Sequence, residues 1–168
     1  MSSTALHKFA SADRRFQVAV PAKCWASIVD DCRRAYPRET GGVLVGRYSD
    51  DLRLADITTV LPAPRDSKAG RTWFARGTAG LQNRLRRFWR RTEYYLGEWH
   101  YHPDGHPDPS GPDRNQMSQI AANELYHCPE PLLLIVGGTP DNLAVRCFVF
   151  IRGYSGVELA VMCQDVVP

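Results

Sequence analysis

The alternation of apolar and polar positions along the chain predicts a mixed sheet flanked by helices. Short runs that are alternately or wholly apolar predict strands at residues 14–20, 39–48, 52–62, 72–77, 94–102, 131–138 and 142–153. The run at 157–162 has the pattern of one further strand. Because 131–138 is almost continuously apolar and is bounded by Pro and Gly, we expect it to be a central strand.

Three stretches have apolar residues at helical spacing instead. The first opens at Pro21, which suits a first helical position, and should end near Tyr36, because the residue before Pro avoids the helical region. Its predicted buried stripe is Trp25, Ile28, Val29 and Cys32. The second helix is predicted to bury Leu81, Leu85, Phe88 and Trp89. The third should begin at Ser110 and bury Met117, Ile120, Ala121 and Leu125.

Length and composition are those of one ordinary globular domain. The chain has 168 residues, of which 43% are hydrophobic and 23% charged, so it can bury a substantial core. We expect a loose polar lead-in over residues 1–13 and a single domain over residues 14–168. Since strands and helices are interspersed, the predicted class is α/β in the broad sense, that is, mixed α+β.

Charge, cysteines and the N-terminal residues limit the classes of partner. The net charge of +3 is mildly basic and does not by itself indicate nucleic-acid binding. Five Cys without a C-x-x-C pair indicate reduced thiols, so we expect a cytoplasmic protein. No apolar core of a signal peptide is visible, and the longest apolar run, 132–136, is too short to span a bilayer. We therefore expect no membrane partner.

The segment 97–113, GEWHYHPDGHPDPSGPD, concentrates side chains that bind metals. His100 and His102 lie two apart on a predicted strand, so they share a face with Cα atoms about 6.6 Å apart. Two imidazoles at that spacing can bind one cation, since zinc–nitrogen bonds measure about 2.0–2.1 Å. A third protein ligand is needed, while a catalytic zinc keeps its fourth position for water. The candidates for the third ligand are Asp104, His106, Asp108, Ser110 and Asp113.

Each of these features also has a purely structural explanation. The sequence from Ser110 to Asp113 has the residues of a helix capping box, with Ser as the N-cap and an acid three residues later. His100 and His102 could be ordinary polar residues of a half-exposed strand. The combination of both features in one segment is what favours a metal site.

The combined motif resembles the JAMM signature of the JAB/MPN metalloproteases. The matching positions are Glu39, His100, His102, Ser110 and Asp113, with residues 103–109 as the spacer. The predicted order of elements also resembles that family over residues 14–152. The resemblance implies a JAB/MPN-like fold, related to the cytidine-deaminase fold, with a mixed sheet flanked by helices.

The resemblance further implies a role for each motif residue. His100, His102 and Asp113 would bind Zn²⁺, with water as the fourth ligand and nucleophile. Glu39 would take a proton from that water and later hand it to the leaving amine. Ser110 would donate a hydrogen bond to the oxyanion of the tetrahedral intermediate.

A finer resemblance concerns the stretch 95–103, YLGEWHYHP. It is similar to bacterial JAB peptidases found beside E1- and E2-like enzymes in antiviral defence operons, notably CBASS. The implied function is deconjugation, in which a zinc isopeptidase cuts after the C-terminus of a ubiquitin-like modifier or a conjugated cGAS-like nucleotidyltransferase. The implied partners are that C-terminal tail, the protein conjugated to it, and the E1/E2-like enzymes of the operon.

Other classes share part of the pattern. Metallo-β-lactamase-type hydrolases use H-x-H-x-D-H, whereas His106 comes one residue too late for that motif. Barrel amidohydrolases also use H-x-H but need a longer chain for eight βα units. Two alternatives stay open: a non-catalytic MPN-type scaffold that binds a ubiquitin-like partner, and a JAB peptidase that processes sulfur-carrier or other precursor tails. The complete motif favours an enzyme.

Four further features of the sequence have structural explanations. Gly41 and Gly42 are expected to allow a tight turn and a close approach after Glu39. His106 is expected to be a loop residue, and Glu98 a solvated or paired carboxylate, with support of His100 as its functional alternative. The arginines of the helix at 81–92 are expected to form a solvated face, with an acidic protein surface as the functional option and nucleic acid disfavoured.

Overall fold

The computed structural model describes the backbone of residues 5–162 and the side chains of residues 7–162. The strands are β1 (Ala5–Ala10), β2 (Gln17–Pro21), β3 (Thr40–Tyr48), β4 (Leu54–Pro62), β5 (Lys68–Ala69), β6 (Phe74–Ala75), β7 (Tyr94–Pro103), β8 (Leu132–Thr139), β9 (Asn142–Phe150) and β10 (Gly156–Val161). The helices are α1 (Ala22–Ala35), α2 (Leu81–Trp89) and α3 (Gly111–Ala122), followed by a 3-10 turn at Glu124–Tyr126. Every strand and helix predicted from the sequence is present, with shifted ends.

The main sheet is mixed, as the sequence predicts, and it closes on itself. Its strands follow the order β1-β10-β9-β8-β7-β3-β4-β2, and β2 pairs again with β1. β2 runs parallel to β4, and β7 runs parallel to β8, while the other neighbours are antiparallel. β5 and β6 form a separate two-stranded sheet. Closure was not predicted, because it depends on pairing between strands that are far apart in the sequence.

Residues 5–10 correct the prediction of a loose lead-in. They form β1, which pairs antiparallel with β2 and β10 and completes the barrel. Phe9 of this strand is fully buried. The segment has little alternation of its own, so its strand conformation follows from pairing with β10 at the other end of the described chain. Residues 1–4 lie outside the described residues.

Helices cover both faces of the sheet, which confirms the predicted mixed α/β class. On one face, the buried Cys24, Ile28 and Cys32 of α1 pack into a cluster with apolar residues of the sheet. On the other face, Leu81 of α2 and Met117 of α3 belong to a second cluster. The sheet therefore has an apolar layer on each side.

Strand β7 has one apolar face and one polar face. Trp99 and Tyr101 belong to the cluster that contains α1, and we call them the apolar face of β7. Glu98 and His100 point the other way and contact side chains of α3. His102, two residues after His100, lies on the same side of the strand. We call Glu98, His100 and His102 the polar face of β7.

Two predicted core positions are wrong. Leu125 is 85% exposed, because α3 ends at Ala122 and the 3-10 turn that follows breaks the helical period. Trp89 is 55% exposed, because it is the last residue of α2, where its ring packs edge-on against that of Tyr94. The arginines of this helix region are exposed, as expected for a solvated face: Arg84, Arg86, Arg87, Arg90 and Arg91.

The four described cysteines lie in the interior of the protein. Cys24, Cys32, Cys128 and Cys147 are buried and free, and Cys163 lies outside the described residues. Among residues 5–162, the structure contains no helix that is long and apolar enough to cross a membrane. The cytoplasmic location stays a prediction.

Candidate metal centre

Strand β7 brings the two histidines of the H-x-H motif together. It lies between antiparallel β3 and parallel β8, where His100 is paired with Gly41 on one side and Ile135 on the other. His100 is only 3% exposed, whereas His102 is half-buried near the end of the strand. One imidazole is therefore held within the protein, and the other is open toward the surface.

Helix α3 supplies the third side chain, and its N-terminal cap fixes the orientation of that side chain. The Ser110 hydroxyl accepts a hydrogen bond from the Asp113 N–H at 3.2 Å, and Asp113 Oδ2 accepts one from the Ser110 N–H at 2.7 Å. The Ser110 hydroxyl also donates to Asp113 Oδ2 at 2.7 Å. The capping box predicted from the sequence is present, and it holds the Asp113 carboxylate toward β7.

The three side chains converge on one point. Asp113 Oδ1 lies 2.6 Å from His100 Nδ1, and Asp113 Oδ2 lies 3.4 Å from His102 Nε2. One potential ligand atom of each residue lies within 4.8 Å of the other two. Within the described part of the chain, this is the group of His, Cys, Asp and Glu side chains whose geometry suits one metal ion.

The other candidates for the third ligand have different surroundings. Asp104 accepts a hydrogen bond from the Tyr36 hydroxyl at 3.2 Å. Asp108 forms an ion pair with Arg146. His106 is exposed and does not belong to the converging group, in agreement with the expectation of a loop residue. Asp113 is thus the carboxylate that the fold brings to the two histidines.

The residues present fit a bound zinc ion. Two imidazoles and one carboxylate are a donor set that suits Zn²⁺ with one open coordination position. The backbone of β3 approaches this donor set closely, because a Cβ at Gly41 would lie 2.9 Å from His100 Cδ2 and 2.8 Å from Phe74 Cε1. Gly41 and Gly42 lie inside β3 and not in a turn, so the close approach is confirmed and the tight turn is wrong.

Glu39 lies beside the converging side chains, immediately before β3. Its backbone N–H donates to the Gly70 carbonyl at 2.8 Å, and its side chain is half-buried. Burial raises the pKa of Glu39 above the usual value for a carboxyl group. The charges of His102, Asp113 and His100 also act on this pKa. The register of β3 and β7 places Glu39, which precedes Thr40, at the end of β7 that carries His102.

The charges of the site stabilise one another. Burial opposes a positive charge on His100, but the carboxylates of Asp113 and Glu98 outweigh it and raise the pKa of His100 to about 9. Burial likewise opposes the charge on Asp113, but hydrogen bonds with His100, His102 and Ser110 hold the pKa of this carboxyl well below its usual range. The carboxylate of Asp113 is therefore ionised and available to a cation at neutral pH.

A buried network behind His100 was not predicted from the sequence. Glu98 is fully buried, and Arg76, whose side chain is 5% exposed, binds it with Nη2 at 2.8 Å from Oε1. Tyr95 and Gln116 also donate to Glu98. Glu98 is thus a paired carboxylate, as the sequence allowed. Its partners Arg76 and Gln116 come from distant segments, and Tyr95 reaches it from the same strand, so the pattern around Glu98 does not predict the network.

The chain matches known proteins over most of its length. The family of prokaryotic homologs of the JAB domain matches residues 21–149. A CD-NTase/cGAS isopeptidase from Enterobacter hormaechei is 43% identical over 90% of this chain and 84% of its own length. A probable metalloprotease from Sinorhizobium fredii is 28% identical over 73% of this chain and 77% of its own.

A solved structure supports the fold. The solution structure of a protein from Desulfitobacterium hafniense matches with a TM-score of 0.61 at 21% identity, covering 82% of this chain and 86% of that protein. This likeness concerns the arrangement of helices and strands. The match over residues 21–149 and the 43% identity show that this chain belongs to the prokaryotic JAB-domain family and resembles its CD-NTase/cGAS isopeptidases.

Proposed function

We propose that the protein is a JAMM-type zinc isopeptidase that releases a protein attached to the C-terminus of a cGAS-like nucleotidyltransferase or a ubiquitin-like modifier. The observation that carries the proposal is the convergence of His100, His102 and Asp113 beside Glu39. Similar proteins from Enterobacter, Pseudomonas and Vibrio bear the name CD-NTase/cGAS isopeptidase, which supports this substrate class.

The proposed reaction divides the work among the motif residues. His100, His102 and Asp113 hold the metal, and zinc bound there would lower the pKa of a water molecule and polarise the scissile carbonyl. The raised pKa of Glu39 suits a group that takes a proton from water and returns it to the leaving amine. Ser110 would turn its hydroxyl from Asp113 toward the developing oxyanion and donate a hydrogen bond to it.

The substrate tail needs a place to bind in an extended conformation. The main sheet is closed in the described part of the chain, so it has no free strand edge beside the site, whereas the hairpin of β5 and β6 does. This hairpin borders the candidate centre, because the ring of Phe74 packs edge-on against that of His100 with centroids 5.5 Å apart. We propose that the tail pairs with an outer edge of this hairpin as an added strand.

Partners and setting follow from the proposed substrate. The protein would act on the flexible C-terminal tail of the nucleotidyltransferase or modifier and on the protein conjugated to it. E1- and E2-like enzymes that form such conjugates would be its functional counterparts in a cytoplasmic antiviral defence system. Membranes and nucleic acids have no role in this proposal.

The proposal is tested with a cGAS-like nucleotidyltransferase of the same bacterium that carries a reporter protein fused to its natural C-terminus. Zinc-loaded protein should cut this fusion once, directly after the natural C-terminal residue, and a chelator should prevent the cut. Intact mass spectrometry locates the cleavage. Casein should be cut weakly, because a folded or unrelated chain does not present the required tail.

Other results would point to other functions. Binding of the fusion without cleavage by zinc-loaded protein would favour the scaffold alternative. Cleavage of a matched sulfur-carrier fusion, but not of the nucleotidyltransferase fusion, would change the substrate class. Cleavage at many unrelated sites would refute the specificity for a C-terminal tail.

A further inference from the structure

Glu98 is a fully buried carboxylate directly behind the candidate metal centre. Its Oε1 accepts hydrogen bonds from Arg76 Nε at 2.9 Å and from the Tyr95 hydroxyl at 3.2 Å. Its Oε2 accepts one from Gln116 Nε2 at 2.9 Å. Since each carboxylate oxygen can accept two hydrogen bonds, Oε2 has one acceptor position left.

The remaining acceptor position is on the side of His100. Nε2 of His100 lies 3.7 Å from Glu98 Oε2, is buried, and has no hydrogen-bond partner among the residues that the structure describes. The other ring nitrogen, Nδ1, is turned toward Asp113 at 2.6 Å. A movement of less than about 1 Å would bring Nε2 into hydrogen-bonding distance of Glu98. An unpaired donor and a spare acceptor, both buried, thus lie next to each other.

We propose that Glu98 is the positioning residue of His100. It accepts the hydrogen of Nε2, which leaves the lone pair of Nδ1 free to bind the metal ion beside Asp113. A carboxylate in this place fixes the tautomer and orientation of a metal-binding histidine and makes it a stronger donor. This inference rests on the proposed metal site and adds the group that orients its most buried ligand.

The surroundings of Glu98 favour this role. A buried carboxylate needs strong partners to stay ionised, and Arg76 supplies the opposite charge from the loop before α2. The pairing of β3 with β7 shifts register at Leu96, so that one extra residue lies between Tyr95 and Gly97. Tyr95 therefore shares a face with Glu98 and bonds to the oxygen that is turned away from His100.

Glu98→Gln removes the proposed positioning group while keeping the shape of the side chain. The two oxygens of Glu98 face Arg76 and His100 separately, whereas an amide has one oxygen and can therefore accept a hydrogen bond on only one of these two sides. We expect the zinc affinity of the folded variant to fall about 10- to 100-fold. Tyr95→Phe is the matched control, because it removes a hydrogen bond from Oε1 only. It should lower the melting temperature and leave the zinc affinity within about twofold of wild type.

A double variant controls for the possibility that Glu98→Gln fails to fold. Glu98→Gln leaves the buried Arg76 without an opposite charge, so the double variant Arg76→Met/Glu98→Gln is measured in parallel. With Arg76 removed, the amide oxygen is free to face His100. The double variant should therefore bind zinc more tightly than Glu98→Gln alone, although both lack the carboxylate.

The wild-type protein gives the decisive readout, which needs no cleavage assay. In zinc-loaded protein, nitrogen NMR should show that Nε2 of His100 carries the hydrogen and that Nδ1 binds the metal. Zinc bound through Nε2 would overturn this inference and leave the proposed function intact. A Glu98→Gln variant that is folded and binds zinc as tightly as wild type would also overturn it. A protein that binds no zinc at all would overturn both.

Discussion

The two faces of β7 are stabilised in different ways, although both bury their inner residues almost completely and only His102, near the strand end, is half-buried. Trp99 and Tyr101 on the apolar face are fully buried, and so is Glu98 on the polar face, with His100 only 3% exposed. Burial of the apolar face removes nonpolar surface from water and directly stabilises the fold. Burial of the polar face costs free energy unless every charge is paired.

This difference shows where function lies in the molecule. The polar face is surrounded by groups that match its charges, from Arg76 behind it to Asp113 in front of it. Such an arrangement contributes little net stability, yet it holds donor atoms at fixed positions. Changes on the polar face should therefore lower metal binding more than stability, and changes on the apolar face should do the reverse.

His102→Ala should have the largest effect on the polar face. With two protein ligands left instead of three, zinc content should fall below about a tenth of that of wild type, and cleavage should cease. His106→Ala is the control, because His106 is exposed and lies outside the converging group. Equal zinc content in both variants, measured by elemental analysis, would exclude His102 as a ligand.

Trp99→Ala should have the largest effect on the apolar face. Removal of this fully buried ring leaves a cavity and should lower the free energy of unfolding by about 3–5 kcal/mol. Trp89→Ala should cost less than about 1 kcal/mol, because that ring is 55% exposed. Denaturant titration measures both values, and the zinc content of the folded fraction should not change.

Metal-free protein should lose stability as the pH rises. The pKa of His100 is raised from its ordinary value of 6.5 to about 9 in the folded state. The stabilisation by its charge is therefore complete below pH 6.5 and is lost as the pH rises through 9, by roughly 3 kcal/mol in total. Zinc-loaded protein should lack this loss, because the histidine then binds as a neutral imidazole. Parallel melting curves with and without chelator measure the difference.

Ser110→Ala should have the smallest effect on stability. Loss of the N-cap should cost about 1 kcal/mol, since the hydroxyl accepts from the Asp113 N–H. The proposed contact with the oxyanion adds a fall in kcat of about 100-fold or more. Ser110→Asp is the informative control, because it keeps a capping acceptor but cannot donate. A kcat near wild type in both variants would leave Ser110 with the capping role alone.

The sequence predicts those parts of the site that depend on local geometry. The period of a strand places His100 and His102 on one face, and the capping box between Ser110 and Asp113 is contained in four consecutive residues. Both were predicted correctly. The approach of α3 to β7, which joins the two motifs, was expected only through the family resemblance.

The parts that could not be predicted depend on contacts between distant segments. Arg76 reaches Glu98 from another loop, and β1 becomes a strand only because β2 and β10 pair with it. Helical spacing predicts that Leu125 and Trp89 lie in the core, but each lies at or beyond a helix end. Periodicity identifies a helix well and its last turn poorly.

Glu39→Gln tests the central claim most directly, because Glu39 is proposed to move a proton without binding the metal. Zinc content and the cleavage rate of the nucleotidyltransferase fusion are measured on the same sample. We predict a zinc content equal to that of wild type and a rate lower by about 100- to 10,000-fold, since the amide cannot accept the proton. A zinc-loaded Glu39→Gln protein that cleaves the fusion at the wild-type rate would contradict the account.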